Sequence, residues 1–295
     1  MTVSALRPTP PTESAAGRVA DCIADADGRI TFDLLQDRRE GGTPGAVLLL
    51  RLRGTKGRRD RAVEEVRLPL SPDGDGRLRA VLPGTTELAE GRWDAWVQQP
   101  GTDGETAVEP GIRDLRALVD RTPDPGGTVG GVVVRIPYPT ADGRLAVRCW
   151  VRAPHAEAGP ITFGPAAMTV DGTLYGAELG DDACVEARPA GHPERSCRAP
   201  VTGRDGSFTF SLPYDLPTTG PVTAPQLWEL WLLPGGPSGS GTGGIRISRI
   251  LDDIWDRKKI FVYPPRATAG DVLAAPCYSA DNDLCLRLEP ARRHD

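Results

Sequence analysis

Thirty-five glycines and 29 prolines punctuate this chain of 295 residues, and that load constrains its fold more than any other feature. Glycine costs about 1 kcal/mol and proline about 3 kcal/mol in a helix interior. Long helices are therefore excluded, and short strands joined by tight turns are expected. Apolar residues reach 39%, enough for real cores. The composition excludes a coiled coil, a helical bundle and collagen. The most apolar short run, Ala46-Val47-Leu48-Leu49-Leu50, falls far below the roughly 20 residues of a spanning helix, so no membrane span is expected.

Four blocks recur in the same order. Ala26-Asp27-Gly28-Arg29-Ile30-Thr31-Phe32 returns as Ala141-Asp142-Gly143-Arg144-Leu145-Ala146-Val147. Val66-Arg67-Leu68-Pro69-Leu70, Asp75-Gly76 and Leu82-Pro83 return as Cys197-Arg198-Ala199-Pro200-Val201, Asp205-Gly206 and Leu212-Pro213. Arg92-Trp93-Asp94-Ala95-Trp96-Val97 is matched by Leu227-Trp228-Glu229-Leu230-Trp231-Leu232. Gly111-Ile112-Arg113 running to Asp120-Arg121 is matched by Gly244-Ile245-Arg246 running to Asp256-Arg257. Apolar residues alternate in the first block, which is the period of a strand with one buried face. The Asp-Gly pairs supply the positive φ of tight turns. An odd spacing of three puts Trp93 and Trp96 on opposite faces of their strand, and likewise Trp228 and Trp231.

The reading is an all-β chain of two tandem antiparallel β-sandwich domains, immunoglobulin-like in the loose sense, related by internal duplication. A flexible tail covers 1–17, copy one 18–121, a Pro/Gly linker 122–130 and copy two 131–265. A C-terminal strand and tail cover 266–295. There Ala280-Asp281-Asn282-Asp283-Leu284-Cys285-Leu286 opens the first motif a third time. A lone strand cannot fold alone, so it is expected to add to a sheet of its own chain, with a strand-swapped homodimer as the alternative. Ile250–Asp256 is expected to form a short helical turn, with little other helix.

Ile136-Pro137-Tyr138-Pro139-Thr140, the Trp-x-x-Trp strand and Lys258-Lys259-Ile260-Phe261-Val262-Tyr263-Pro264-Pro265 carry a resemblance. The chain is similar to the tandem immunoglobulin-like accessory domains of actinobacterial cell-wall glycopolymer glycosyltransferases and polyol-phosphate transferases, such as teichoic-acid glycosyltransferases. The arginine bias fits such a source, since all but three of the 35 basic residues are arginine. The sequence holds no nucleotide-sugar catalytic domain. The resemblance therefore implies a fold and a neighbourhood, with a glycan or a transferase as partner, and carries over no catalytic residue.

A net charge of −5 argues against general nucleic-acid binding. The N-terminus shows no basic stretch followed by an apolar run, so a cytoplasmic protein is expected. Six cysteines without a Cys-x-x-Cys, and three histidines, argue against a zinc site; no metal and no cofactor is expected. Cys184 and Cys197 flank a turn-rich stretch, where they either oxidise across a hairpin or remain thiols. The glycine-rich stretch 235–244 reads as a hairpin loop or a lid.

Candidate site residues fall into two groups. Trp93, Trp96, Trp150, Trp228 and Trp231 serve either packing or sugar stacking. Arg58 and Arg59 belong to a basic hairpin suited to phosphate or carboxylate. His155 ends a strand and can titrate near neutral pH; with Asp94 and Glu229 it makes the candidate catalytic set. Two functions compete. One is a stand-alone module that binds a glycan or another small polar or anionic ligand, or docks a biosynthetic transferase. The alternative is a small-molecule enzyme of a specialised-metabolite pathway, with its site between the domains.

Overall fold

The computed structural model describes residues 18–35, 45–54, 64–101, 104–119, 121, 131–164, 166–214, 222–235, 243–268 and 271–291. These form twenty strands. The first ten are β1 (Arg18–Ala24), β2 (Ile30–Leu35), β3 (Val47–Leu52), β4 (Glu65–Pro69), β5 (Ser71–Pro72), β6 (Arg77–Leu82), β7 (Gly91–Gln98), β8 (Glu105–Asp114), β9 (Val132–Pro139) and β10 (Leu145–Arg152). The second ten are β11 (His155–Phe163), β12 (Ala167–Tyr175), β13 (Cys184–Pro189), β14 (Cys197–Arg204), β15 (Ser207–Pro213), β16 (Gln226–Leu233), β17 (Ile245–Ser248), β18 (Arg266–Ala267), β19 (Val272–Tyr278) and β20 (Leu284–Pro290). The protein is all-β: among the described residues there is no α-helix, only three single 3-10 turns. No helix is long and apolar enough to cross a membrane among those residues. The helical turn expected at Ile250–Asp256 falls slightly later, at Arg257–Lys259.

Each set of ten strands forms one hydrogen-bonded sheet. In the first, the ten residues of β8 let it serve two neighbours. Trp96↔Ala107 pairs it antiparallel with β7, and Arg18↔Val108 begins its parallel pairing with β1. In the second sheet the additional pairing of β13 with β16 closes the strands into a barrel-like ring.

The two sheets divide the strands at the turn between β10 and β11, while the first core also takes in Tyr175, Ile250 and Leu251. The hairpin β9–β10, the first of the segment 131–265, joins the first sheet: β10 pairs with β7 (Val147↔Trp93, Arg148↔Arg92), and Val132, Val134, Ile136, Val147 and Trp150 pack in the first core. The C-terminal hairpin β19–β20 takes the same place on the second sheet, where Trp228↔Leu286 pairs β20 with β16 of the same chain. Leu284, Leu286 and Leu288 then complete the second core around Phe208, Phe210 and Trp228. The physical reason is that β8 and β17 pair only the C-terminal part of one edge of β7 and β16, so the N-terminal part needs a strand, and each following hairpin supplies one.

The recurring turns behave as their chemistry demands. Gly28 and Gly143 both take φ +79°, and Asn282 fills the corresponding place in the β19–β20 turn with φ +61°. Asp25, Thr140 and Ser279 each accept a backbone N–H four residues on, from Arg29, Arg144 and Asp283. Of the two alternatives for Cys184 and Cys197, the structure shows free thiols. The register sets Cys184 opposite Pro200 and Cys197 opposite Ala187, and all six thiols are free. The cysteines that do stand opposite each other are Cys277 and Cys285.

Candidate functional site: a basic cleft between the two cores

The sequence candidates separate widely. Trp93, Trp150 and Trp228 are at most 2% exposed and belong to the cores, so they offer no face to a ligand. Their indole N–H groups donate to Ala89 O (3.0 Å), Asp281 O (3.1 Å) and Gln226 Oε1 (3.3 Å). Trp96 and Trp231 lie on the opposite sheet faces, as the odd spacing requires, but guanidinium groups cover them. Arg144 sits 5.4 Å from the Trp96 centroid; Arg188 and Arg246 sit 4.7 and 5.0 Å from that of Trp231. Asp94 is bound by Arg53, and Glu229 by Arg246 at 2.6 Å.

His155 is 1% exposed. Its Nε2 lies 2.8 Å from Glu157 Oε2, and its ring stacks on Tyr175. Glu157 also accepts the backbone N–H groups of Ile250 and Leu251. This is a buried clamp on the chain after β17. The three catalytic candidates therefore sit in three separate polar pairs, and they do not assemble into one acid–base site. Arg58 and Arg59 lie outside the described residues, as does most of the glycine-rich stretch, 236–242.

The structure instead opens a cleft of about 550 Å³ between the two cores. Arg53, Arg92, Tyr138 and Arg148 line it from the first sheet. Trp255, Asp256, Lys258, Lys259 and Ile260 come from the segment after β17, and Ala280 from the β19–β20 turn. Strand geometry explains the cationic wall. Trp93 and Val147 point into the first core, so their neighbours Arg92 and Arg148 point the other way. These two arginines are direct cross-strand partners, and like charges placed so are destabilising unless an anion joins them. Asp281 Oδ1 does so, 3.0 Å from Arg92 and 2.9 Å from Arg148. Arg92 also donates to Ala280 O at 2.9 Å.

The electrostatics of the cleft follow from its burial. Arg148 is 5% exposed, and desolvation holds its pKa below the ordinary arginine value, against the pull of Asp281. Burial raises the Tyr138 phenol, while the nearby Arg53, Arg92 and Arg148 lower it. Tyr138 stacks on Trp255 with centroids 6.3 Å apart, and Arg113 caps that indole at 4.5 Å. Two buried polar atoms on this wall have no hydrogen-bond partner: Arg148 Nε, a donor, and Asp256 Oδ1, an acceptor. Cations, flat rings and a free acceptor together suit a polar, negatively charged ligand. Among the described residues no cluster of His, Cys, Asp or Glu is arranged to hold a metal ion.

Sequence reasoning missed most of this wall. Arg92 and Arg148 look like ordinary strand positions, and only the β7–β10 register makes them partners. Trp255 and the Lys258-Lys259 pair were visible as residues, but nothing in their spacing pointed to Tyr138.

No family model matches this chain, and no curated protein matches it. Solved structures do. The chain is similar to S. aureus TarS, with 14% identity, a TM-score of 0.31, and coverage of 68% of this chain and 36% of that one. It is similar to a shorter fragment of TarS, with 14% identity, a TM-score of 0.30, and coverage of 69% and 57%. A tetra-tandem repeat from the extending region of a large adhesion protein shows 11% identity, a TM-score of 0.20, and coverage of 74% and 45%. The chain spans less than two thirds of the length of each.

Proposed function

We propose that this chain is a tandem β-sandwich module that binds a glycan or another small polar, anionic ligand in the cleft between its cores. In this reading it works beside a biosynthetic transferase and is not itself the catalyst. The observation that carries it is the cleft wall itself. Five cationic side chains and a stacked Tyr138–Trp255 pair converge there, with an unpartnered donor and an unpartnered acceptor. The enzyme alternative lacks a comparable basis, because His155, Asp94 and Glu229 are each bound to a different partner.

The same reading takes the two halves as duplicated immunoglobulin-like units. Its support is the repeated pairing order. β1–β2, β2–β6, β3–β7 and the parallel β1–β8 pair recur as β11–β12, β12–β15, β13–β16 and the parallel β11–β17 pair. Three of the four sequence blocks fall on strands that correspond in this order. The Ala-Asp-Gly-Arg block does not, since it marks hairpin turns at β1–β2 and β9–β10.

Tryptophan fluorescence and thermal shift, run against neutral sugars, sugar acids and sugar phosphates, test the cleft. A ligand response that Lys258→Glu with Lys259→Glu reverses supports it. A response indifferent to these substitutions, or no response to any compound, removes the cleft from consideration.

A further inference from the structure

We propose that the first sheet carries a ligand site of its own, apart from the cleft, and that this site takes an apolar α-amino acid. It is a pocket of about 740 Å³ that shares no lining residue with the cleft. Arg135 and Tyr138 are an odd number of residues apart on β9, so the strand turns Tyr138 to the cleft and Arg135 to this pocket. Arg135 is 3% exposed. Its terminal nitrogens donate to main-chain oxygens: Nη1 to Pro83 O at 3.0 Å and Gly28 O at 3.3 Å, and Nη2 to Thr86 O. Its buried Nε has no hydrogen-bond partner. Arg121 reaches the same strand. Its Nη2 donates to Val133 O at 3.0 Å, two residues from Arg135, and its buried Nη1 is also unpartnered. Among the described residues, the hydrogen bonds of both guanidinium groups go to neutral carbonyls.

A buried charge is costly unless it is paired as well as hydrogen-bonded. Two neighbouring cations with one open nitrogen each suit a single anion with two acceptor oxygens, which is a carboxylate. The rest of the lining restricts what carries that carboxylate. Leu88, Ala89, Val133 and Val151 present hydrocarbon. Asp27 and Glu87 are exposed carboxylates of the same lining, and Asp27 is near enough to act on the charge of Arg121. Their negative charge opposes a ligand with several anionic groups and attracts an ammonium. Carboxylate, ammonium and hydrocarbon together define the ligand class.

Calorimetric titration of the full chain with L-leucine, 4-methylpentanoate, leucinamide and sulfate tests this. Leucine should bind about tenfold more tightly than 4-methylpentanoate, which lacks the ammonium, and than leucinamide, which lacks the carboxylate. Sulfate should not compete. Arg121→Gln should weaken leucine by about tenfold. Asp27→Asn with Glu87→Gln should bring leucine down to the level of 4-methylpentanoate. Arg135→Gln should act as Arg121→Gln does. Arg135 also ties three backbone carbonyls together, so Arg121→Gln carries the test if Arg135→Gln does not fold. Lys258→Glu with Lys259→Glu, which probes the cleft, should leave leucine binding unchanged, so the two sites fail separately. Equal binding of leucine and 4-methylpentanoate, or displacement of leucine by sulfate, overturns the amino-acid assignment. Leucine binding untouched by Arg121→Gln, or no binding of leucine to wild type, overturns the site.

Discussion

Arg92 and Arg148 stand directly opposite each other on β7 and β10 and share one oxygen of Asp281, 133 residues beyond Arg148. That shared oxygen ties the C-terminal hairpin, which completes the second core, to the last hairpin of the first. Removing it leaves two guanidinium groups facing each other with one of them buried. Breaking a fully buried pair costs about 3–5 kcal/mol, but Asp281 is partly exposed, so Asp281→Ala should cost about 1–2 kcal/mol. Urea unfolding of the variant measures this. Millimolar phosphate should return part of the loss, because an anion that binds only the folded state stabilises it.

The tryptophan pairs should split by face. Trp93→Ala and Trp228→Ala each empty a core position and should cost about 3–5 kcal/mol. Trp96→Ala and Trp231→Ala remove a guanidinium-covered ring from the outer face and should cost about 0.5–2 kcal/mol. Chemical denaturation of the four variants decides it. Equal costs at all four positions would contradict the assignment of faces.

The alternation of apolar residues, the Asp-Gly turns and the opposed faces of each Trp pair were legible because period two and backbone sterics are local. Which hairpin completes which core was not. Leu145, Val147 and Cys149 announce one buried face of β10, but Ala146, Arg148 and Trp150 are buried as well. The second face is covered in part by the Ala280–Asp281 turn, and nothing near residue 148 signals it. The cleft escaped the sequence for the same reason. Arg92, Tyr138, Arg148 and Trp255 become neighbours only through long-range register. His155 misled in the opposite direction: it stands at a strand end, as loop histidines do, but Glu157 and Tyr175 enclose it.

Glu157 should matter more to folding than to any ligand. Its carboxylate accepts the N–H groups of Ile250 and Leu251 and holds His155. Glu157→Ala strands those donors at a partly buried site and should cost about 1–3 kcal/mol. Glu157→Gln keeps one acceptor and should cost less. Ligand affinity at the cleft, measured well below the unfolding temperature, should be unchanged in Glu157→Gln. A selective loss of turnover or binding in that variant would instead restore His155 to a functional role.

Thiol chemistry should follow burial. Desolvation pushes Cys22 and Cys285 up to about 12 and Cys197 up to about 11, so almost none is thiolate at pH 8. Cys184 and Cys277 are only half-buried. Brief alkylation of the native protein at pH 8, read by peptide mass spectrometry, should therefore mark Cys184 and Cys277 first. Early labelling of Cys22 or Cys285 would show that their strands open more readily than their packing implies.

Acid should weaken the first sheet through Arg51. Its guanidinium binds Glu65 and Glu105 and holds both carboxyls below the usual glutamate value. A folded-state pKa below the unfolded one means that the unfolded chain binds protons first as pH falls. The stabilisation is thus fully present above the unfolded value, about 4.3, and is lost as pH drops through the depressed folded values. Asp21, held down chiefly by its hydrogen bond from Arg77, acts in the same direction. Arg51→Met removes the chief hydrogen bond of both glutamates and leaves Glu65 only its contact with Arg67. The stability gap between wild type and Arg51→Met, measured by urea unfolding, should therefore be largest near pH 6 and shrink towards pH 3. A gap that stays constant across that range would mean that Arg51 contributes packing and not charge.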